Sequence, residues 1–155
     1  LTSAQLQQFY RHILDSYERM QFGYEMLKLV HRPSEQVDEP AWFSVAQQVL
    51  AQLNNMKVEQ KLIETWFYLQ YAGLLGDELN LRTDVAAHAL SPDKTYMYDS
   101  TEKGLRLAEQ GDLSADAIKL LRLIQAKPLA NVAQIGGITE VISACWLVAR
   151  QHAAV

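Results

Sequence analysis

The chain has 155 residues, enough to bury a real core as one domain, and its 49% apolar and 21% charged content excludes disorder. Its single cysteine, Cys145, excludes an internal disulfide and any cysteine-rich zinc site. The net charge of −4 argues against gripping nucleic acid by charge alone, although residues 113–155 carry four basic groups against two acidic ones.

Thr2 to Gln5 reads as a capping box, and Leu6, Phe9, Tyr10, Ile13, Tyr17, Met20, Tyr24 and Leu27 follow at helical spacing. This predicts an amphipathic helix running to about Val30, with a weak point at Gly23. The aromatics of that stripe are expected to be core positions and not a stacking platform for bases. His31 to Glu39, with Pro33, reads as a polar loop. Asp38 is the expected cap of a second helix over 41–53, with Trp42, Phe43, Val45, Ala46, Val49, Leu50 and Leu53 as its apolar face.

Met56 to Leu75 is the centre of the chain. From Leu62 onward it is apolar on nearly every side, which predicts a helix covered by protein all round. Lys57, Glu59, Lys61 and Glu64 make it too polar for a membrane span. Asn55 is the expected N-cap and Gly76 the expected residue past the C-terminal end. The short link at Asn54-Asn55 predicts an antiparallel pair with the helix before it.

Asp77 to Pro92 has no periodic pattern. Thr95 to Leu107 then alternates around Ser100 to Gly104, the pattern of a small β-hairpin. A lone hairpin is marginal in water, so this one is expected to lie on the helices. Ser114 caps a further helix, Lys127-Pro128 ends it, and Leu129 to Gln134 allows one short turn. Thr139 is the expected cap of a last helix bearing Val141, Ile142, Cys145, Trp146, Val148 and Ala149. The fold class is therefore mainly α: a helical bundle around a buried central helix, with one hairpin, over residues 1–155 as a single domain.

Signals for chemistry are sparse. No Gly-rich phosphate loop is present, and His12, His31, His88 and His152 form no pair at i, i+3 or i+4. Asp77, Glu78, Asp84, His88 and Asp93 collect hard ligands in one stretch, but at no calcium-loop spacing, and read as a polar loop. Cys145 sits on an apolar helix face and reads as a buried small hydrophobe. No catalytic residue, metal ligand or cofactor is assigned.

In the order of its parts the chain resembles the C-terminal helical domain of the RecO recombination mediators. The parts are a long helix with a Pro- and acid-containing loop, a core helix ending FYLQYAGLLGDELNL, the hairpin TYMYDSTEKGLRL, the Ser-capped LSADAIKLLRLIQA and a final amphipathic helix. Complete members of that family carry an N-terminal OB-fold, so this sequence is expected to be a piece, or a member without that domain. Many members hold zinc with four cysteines in the loop and hairpin; positions 77–112 contain none. The basic tail common in the family does not occur within these 155 residues.

The resemblance implies a non-enzymatic, cytoplasmic role in DNA recombination and repair. The implied partners are the acidic, aromatic-ended C-terminal tail of the single-strand-binding protein and the partner recombination mediator. Such a tail wants an apolar pocket beside a cation, and Lys57 and Lys61 are the candidates for the cation. Direct nucleic-acid binding is expected to be weak or absent, and no membrane is involved. Two alternatives remain open: an unrelated helical interaction or assembly module, and a small helical ligand-binding protein or enzyme with an unrecognised site.

Overall fold

The computed structural model describes residues 10–36 and 40–155, with backbone only at 34–36. The expected capping box at Thr2 to Gln5, Leu6, Phe9 and the Asp38 cap lie outside the described residues. In chain order come a 3-10 turn at Arg11–Asp15, then α1 (Tyr17–Gln36), α2 (Pro40–Leu53) and α3 (Gln60–Leu74). The hairpin strands β1 (Thr95–Asp99) and β2 (Gly104–Ala108) follow, then α4 (Ala115–Ala126), the single turn α5 (Leu129–Val132) and α6 (Ile142–Ala153). The protein is mainly α with one two-stranded antiparallel sheet.

α3 is the core helix. Each helical residue turns the chain by 100°, so five consecutive residues sweep the whole circumference. Thr65, Trp66, Phe67, Tyr68 and Leu69 are all buried, so α3 is enclosed on every side. α1, α2, α4 and α6 supply the enclosure, α6 most extensively. Phe22 of α1 meets Phe67 edge-on at 5.9 Å, and Trp42 of α2 meets Tyr71 at 5.8 Å. The Trp66 indole N–H donates to the Lys127 carbonyl at 2.9 Å, so the ring is buried without an unsatisfied donor.

The end of α3 is as expected. Gly76 has φ +85°, and the Asp77 amide reaches back to the Ala72 carbonyl at 2.8 Å. The start is not. Met56 to Glu59 form a turn, and Asn55 receives the Lys57 amide at 3.1 Å instead of capping a helix at 56. The reason is Arg19. This buried guanidinium donates to the carbonyls of Gln52 (3.4 Å), Leu53 (2.9 Å), Asn55 (3.2 Å) and Val58. A helix begun at Asn55 would need the Asn55 and Val58 carbonyls for its own ladder.

α1 differs in phase and length. Ser16 is extended and separates the 3-10 turn from α1, so the apolar stripe is reset. The buried side of α1 is Arg19, Phe22, Met26 and Val30, while Tyr17 is 68% exposed and Tyr24 also faces solvent. Gly23 does not break the helix; it lies against Leu50 and Leu53 of α2. The expected loop at His31 is helix as far as Gln36, because Pro33 lies in the last turn and forfeits one amide bond there. On α2 the expected face is buried except Phe43, 67% exposed, which lies at the edge of the stripe formed by Trp42, Val45, Ala46, Val49, Leu50 and Leu53.

The hairpin pairs Thr95 with Ala108 and Asp99 with Gly104. Asp99 closes the turn by accepting the amides of Thr101 and Glu102, and it pairs with Arg106. Tyr96 also exchanges both backbone hydrogen bonds with Leu113, each 3.0 Å, tying the hairpin to the start of α4. Gly111 makes that crossing possible, because a Cβ there would lie 2.2 Å from the Tyr96 carbonyl oxygen. Ser114 caps α4, accepting the Ala117 amide at 3.2 Å. Thr139 does not cap α6. A turn at 138–141 feeds directly into Ile142, with no side-chain cap.

Arg19→Ala leaves the Leu53 and Val58 carbonyls without a donor and removes a second donor from those of Gln52 and Asn55, which keep the amides of Asn55 and Val58. It is expected to lower stability by about 2–3 kcal/mol, read from the urea midpoint, with Arg19→Lys recovering less than half for want of the planar fork. A loss below about 1 kcal/mol contradicts this account of the α2–α3 link.

Candidate functional site

The residues that carry polar chemistry gather where α3 and α6 meet. Lys61 and Glu64 stand one turn apart on α3, and Trp146 and Arg150 one turn apart on α6. The Trp146 indole N–H donates to Glu64 Oε1 at 3.1 Å, and Gln60 holds the other carboxylate oxygen at 2.9 Å. The Lys61 ammonium lies 5.4 Å from the centre of the Trp146 ring and the Arg150 guanidinium 5.3 Å from it, both within cation–π range. Lys61 Nζ also donates to Ser143 Oγ at 3.1 Å. Tyr68, buried beside this group, is pushed up to about 12, first by burial and then by the Glu64 charge. The product is a half-buried indole carrying two exposed cations, with one carboxylate fixing the ring. Exposed ammonium and guanidinium groups on a rigid aromatic base suit carboxylate recognition.

Of the two lysines expected to act together, only Lys61 belongs to this cluster. Lys57 is exposed in the turn before α3 and not on the helix. Neither lysine forms an ion pair with Glu59 or Glu64 among the described residues. Trp146 and Arg150 are the partners that sequence reasoning missed. Their spacing was visible, but nothing local joins them to residues 82 positions earlier.

A smaller cleft of about 190 Å³ offers a similar mixture, with Leu90, Pro92 and Ile118 as apolar lining and Lys119 and Arg122 beside them. The acidic loop residues do not converge on a cation. Asp77 pairs with Lys103, and Asp84 accepts the amides of Ala86 (2.9 Å) and His88 (3.0 Å) within its own loop. No group of three metal-ligating side chains comes together among the described residues.

His152 is a buried polar residue that its lone position in the sequence did not reveal. It continues the inner stripe of α6, after Cys145, Val148 and Ala149. Its Nε2 lies 2.6 Å from the Asp77 carbonyl, which can only accept, so Nε2 carries the proton. Nδ1 then accepts from the Tyr98 hydroxyl at 2.9 Å. One neutral imidazole thus joins α6, the end of α3 and the hairpin. Burial first, then Lys103, lowers its pKa to about 4. Cys145 is buried, with its thiol donating to the Ala117 carbonyl at 3.3 Å, and burial pushes it up to about 12.

Fold and surface define a mainly α domain with a short β-hairpin tied to α6 through Tyr98 and to the start of α4 through Tyr96. Residues 14–152 match the family model described as recombination protein O C terminal, and the chain belongs to that family. The family is one of recombination mediators, tied to DNA recombination and repair, and is not a known enzyme family. No curated protein and no solved structure matches the chain. No helix among the described residues is long and apolar enough to cross a membrane.

Two outcomes follow from the buried groups. The unfolded chain binds a proton on His152 near pH 6.5, while the folded chain resists until about 4. Stability is therefore complete above pH 6.5 and falls as pH drops through this window, by up to about 3 kcal/mol. Urea melts across that range are expected to show the slope, and His152→Gln to flatten it. Cys145 is expected to resist a thiol reagent at pH 8 until the chain is unfolded; rapid labelling of the native protein contradicts its burial.

Proposed function

We propose that this chain acts in recombination and repair as a non-enzymatic protein-binding domain of the cytoplasm, taking the acidic, aromatic-ended tail of a single-strand-binding protein on the α3–α6 surface. The observation that carries the reading is the Lys61–Trp146–Arg150 cluster, with Glu64 holding the indole in place. Lys61 and Arg150 take the tail's carboxylates, the apolar surface at Trp146 and the exposed Leu147 takes its aromatic end, and Lys57 adds a cation nearby. The partner recombination mediator of the family is a second binding partner. Net charge −4 sets the order of preference, since the whole chain repels a long polyanion while a local cationic patch attracts two or three carboxylates. Direct binding of nucleic acid is accordingly weak.

Exposed ion pairs contribute up to about 1 kcal/mol each, so two of them alter affinity by up to roughly thirtyfold. In fluorescence anisotropy the chain is expected to bind a labelled acidic peptide ending in phenylalanine more tightly than a labelled single-stranded oligonucleotide. Lys57→Glu with Lys61→Glu is expected to weaken the peptide several-fold, up to about thirtyfold. The cleft at Leu90, Pro92 and Ile118 supports a second placement, because it too sets basic side chains beside apolar ones. Peptide binding that survives the double change but falls with Lys119→Glu moves the tail there. Tight oligonucleotide binding with no peptide binding overturns the reading.

A further inference from the structure

A separate cleft of about 450 Å³ opens between the segment after α3 and the second half of α4, lined among others by Glu78, Asn80, Arg82, Arg122 and Gln125. Its volume is that of a small-molecule site. Most of its polar groups are already occupied. The Leu79 carbonyl takes Gln125 Nε2 at 3.1 Å, and the Leu81 carbonyl takes Arg122 Nε at 2.9 Å. Asn80 is spent within its loop, accepting the amides of Arg82 (2.9 Å) and Thr83 (3.2 Å) and donating to Thr83 Oγ1 at 2.8 Å.

What remains is the whole Arg82 guanidinium, the two terminal nitrogens of Arg122 and the Glu78 carboxylate. None of these forms a hydrogen bond or ion pair among the described residues. The Arg122 fork is held by its Nε bond, and the Asn80 turn sets the backbone from which Arg82 projects. The Arg122 group is therefore partly organised before any ligand arrives, while Arg82 is fixed at its backbone only.

We propose that this cleft binds a small phosphomonoester. Two guanidinium groups match the two charges of a phosphate monoester, whereas a carboxylate brings only one. Glu78 accepts from a hydroxyl or amino group on the same molecule. Its negative charge in the same cleft disfavours a run of phosphates, so the ligand is a single phosphorylated small molecule and not a nucleic-acid strand.

The test is a titration of the 155-residue chain with AMP, read by backbone amide shifts, with inorganic phosphate and glutarate in parallel arms. AMP is expected to shift the amides of 79–82 and 122–126 at millimolar concentration, with phosphate alone shifting the same residues more weakly. Arg82→Gln is expected to weaken AMP about fivefold with the thermal midpoint unchanged, since the Arg82 side chain makes no hydrogen bond or ion pair among the described residues. Arg122→Gln releases the Leu81 carbonyl as well, so Arg82→Gln is the deciding variant. No shift at these residues with AMP up to about 10 mM overturns the proposal. So does glutarate binding as tightly as AMP, an Arg82→Gln chain that binds AMP unchanged, or an oligonucleotide without a terminal phosphate binding the cleft more tightly than AMP.

Discussion

The buried guanidinium of Arg19 is the constraint on which the arrangement of the first three helices depends. It has no carboxylate partner among the described residues; its charge is met by four backbone carbonyls at the end of α2 and in the turn beyond it. Helix C-terminal carbonyls carry partial negative charge and are short of donors, so a cation there satisfies two needs at once. Burial lowers the arginine's pKa, but the group stays a cation. Because one planar fork reaches Gln52, Leu53, Asn55 and Val58 together, it sets where α2 stops and where α3 starts. It also joins α1 to that corner, and so sets which side of α1 faces inward.

From that corner the chain turns into a helix with no solvent face over its middle. Enclosing α3 completely needs neighbours from both halves of the chain, and α6 closes the side left open by α1 and α2. The same closure brings Trp146 and Arg150 to Lys61 and Glu64. The surface proposed for partner binding is therefore the outer edge of the core contact and not an appendage to it. Glu64 shows the connection: its carboxylate fixes the indole on the outside, while inside its charge adds to the burial that raises the Tyr68 pKa. On the opposite flank, His152 does the joining with a neutral ring, tying α6 to the hairpin and to the end of α3.

The sequence alone determined those features whose cause is local. The four consecutive apolar residues Trp66 to Leu69 on α3 call for enclosure on all sides, and Trp66 and Phe67 are indeed buried. Gly76 ends α3 because a left-handed residue is needed there, and Ser114 caps α4 because its hydroxyl reaches an amide three residues on. Alternation around Gly104 marked the hairpin, and the order of these parts was enough to indicate the family. Tertiary structure decided the rest. The start of α3 moved from 56 to 60 because Arg19, from 34 residues before Leu53, took the carbonyls. The stripe of α1 shifted because Ser16 left the helix. The partners of Lys61, the role of His152 and the paired arginines of the cleft come from contacts spanning 82, 75 and 41 residues. Periodicity reports on neighbours within a turn or two, whereas these groups are brought together only when helices distant in sequence bury the same core.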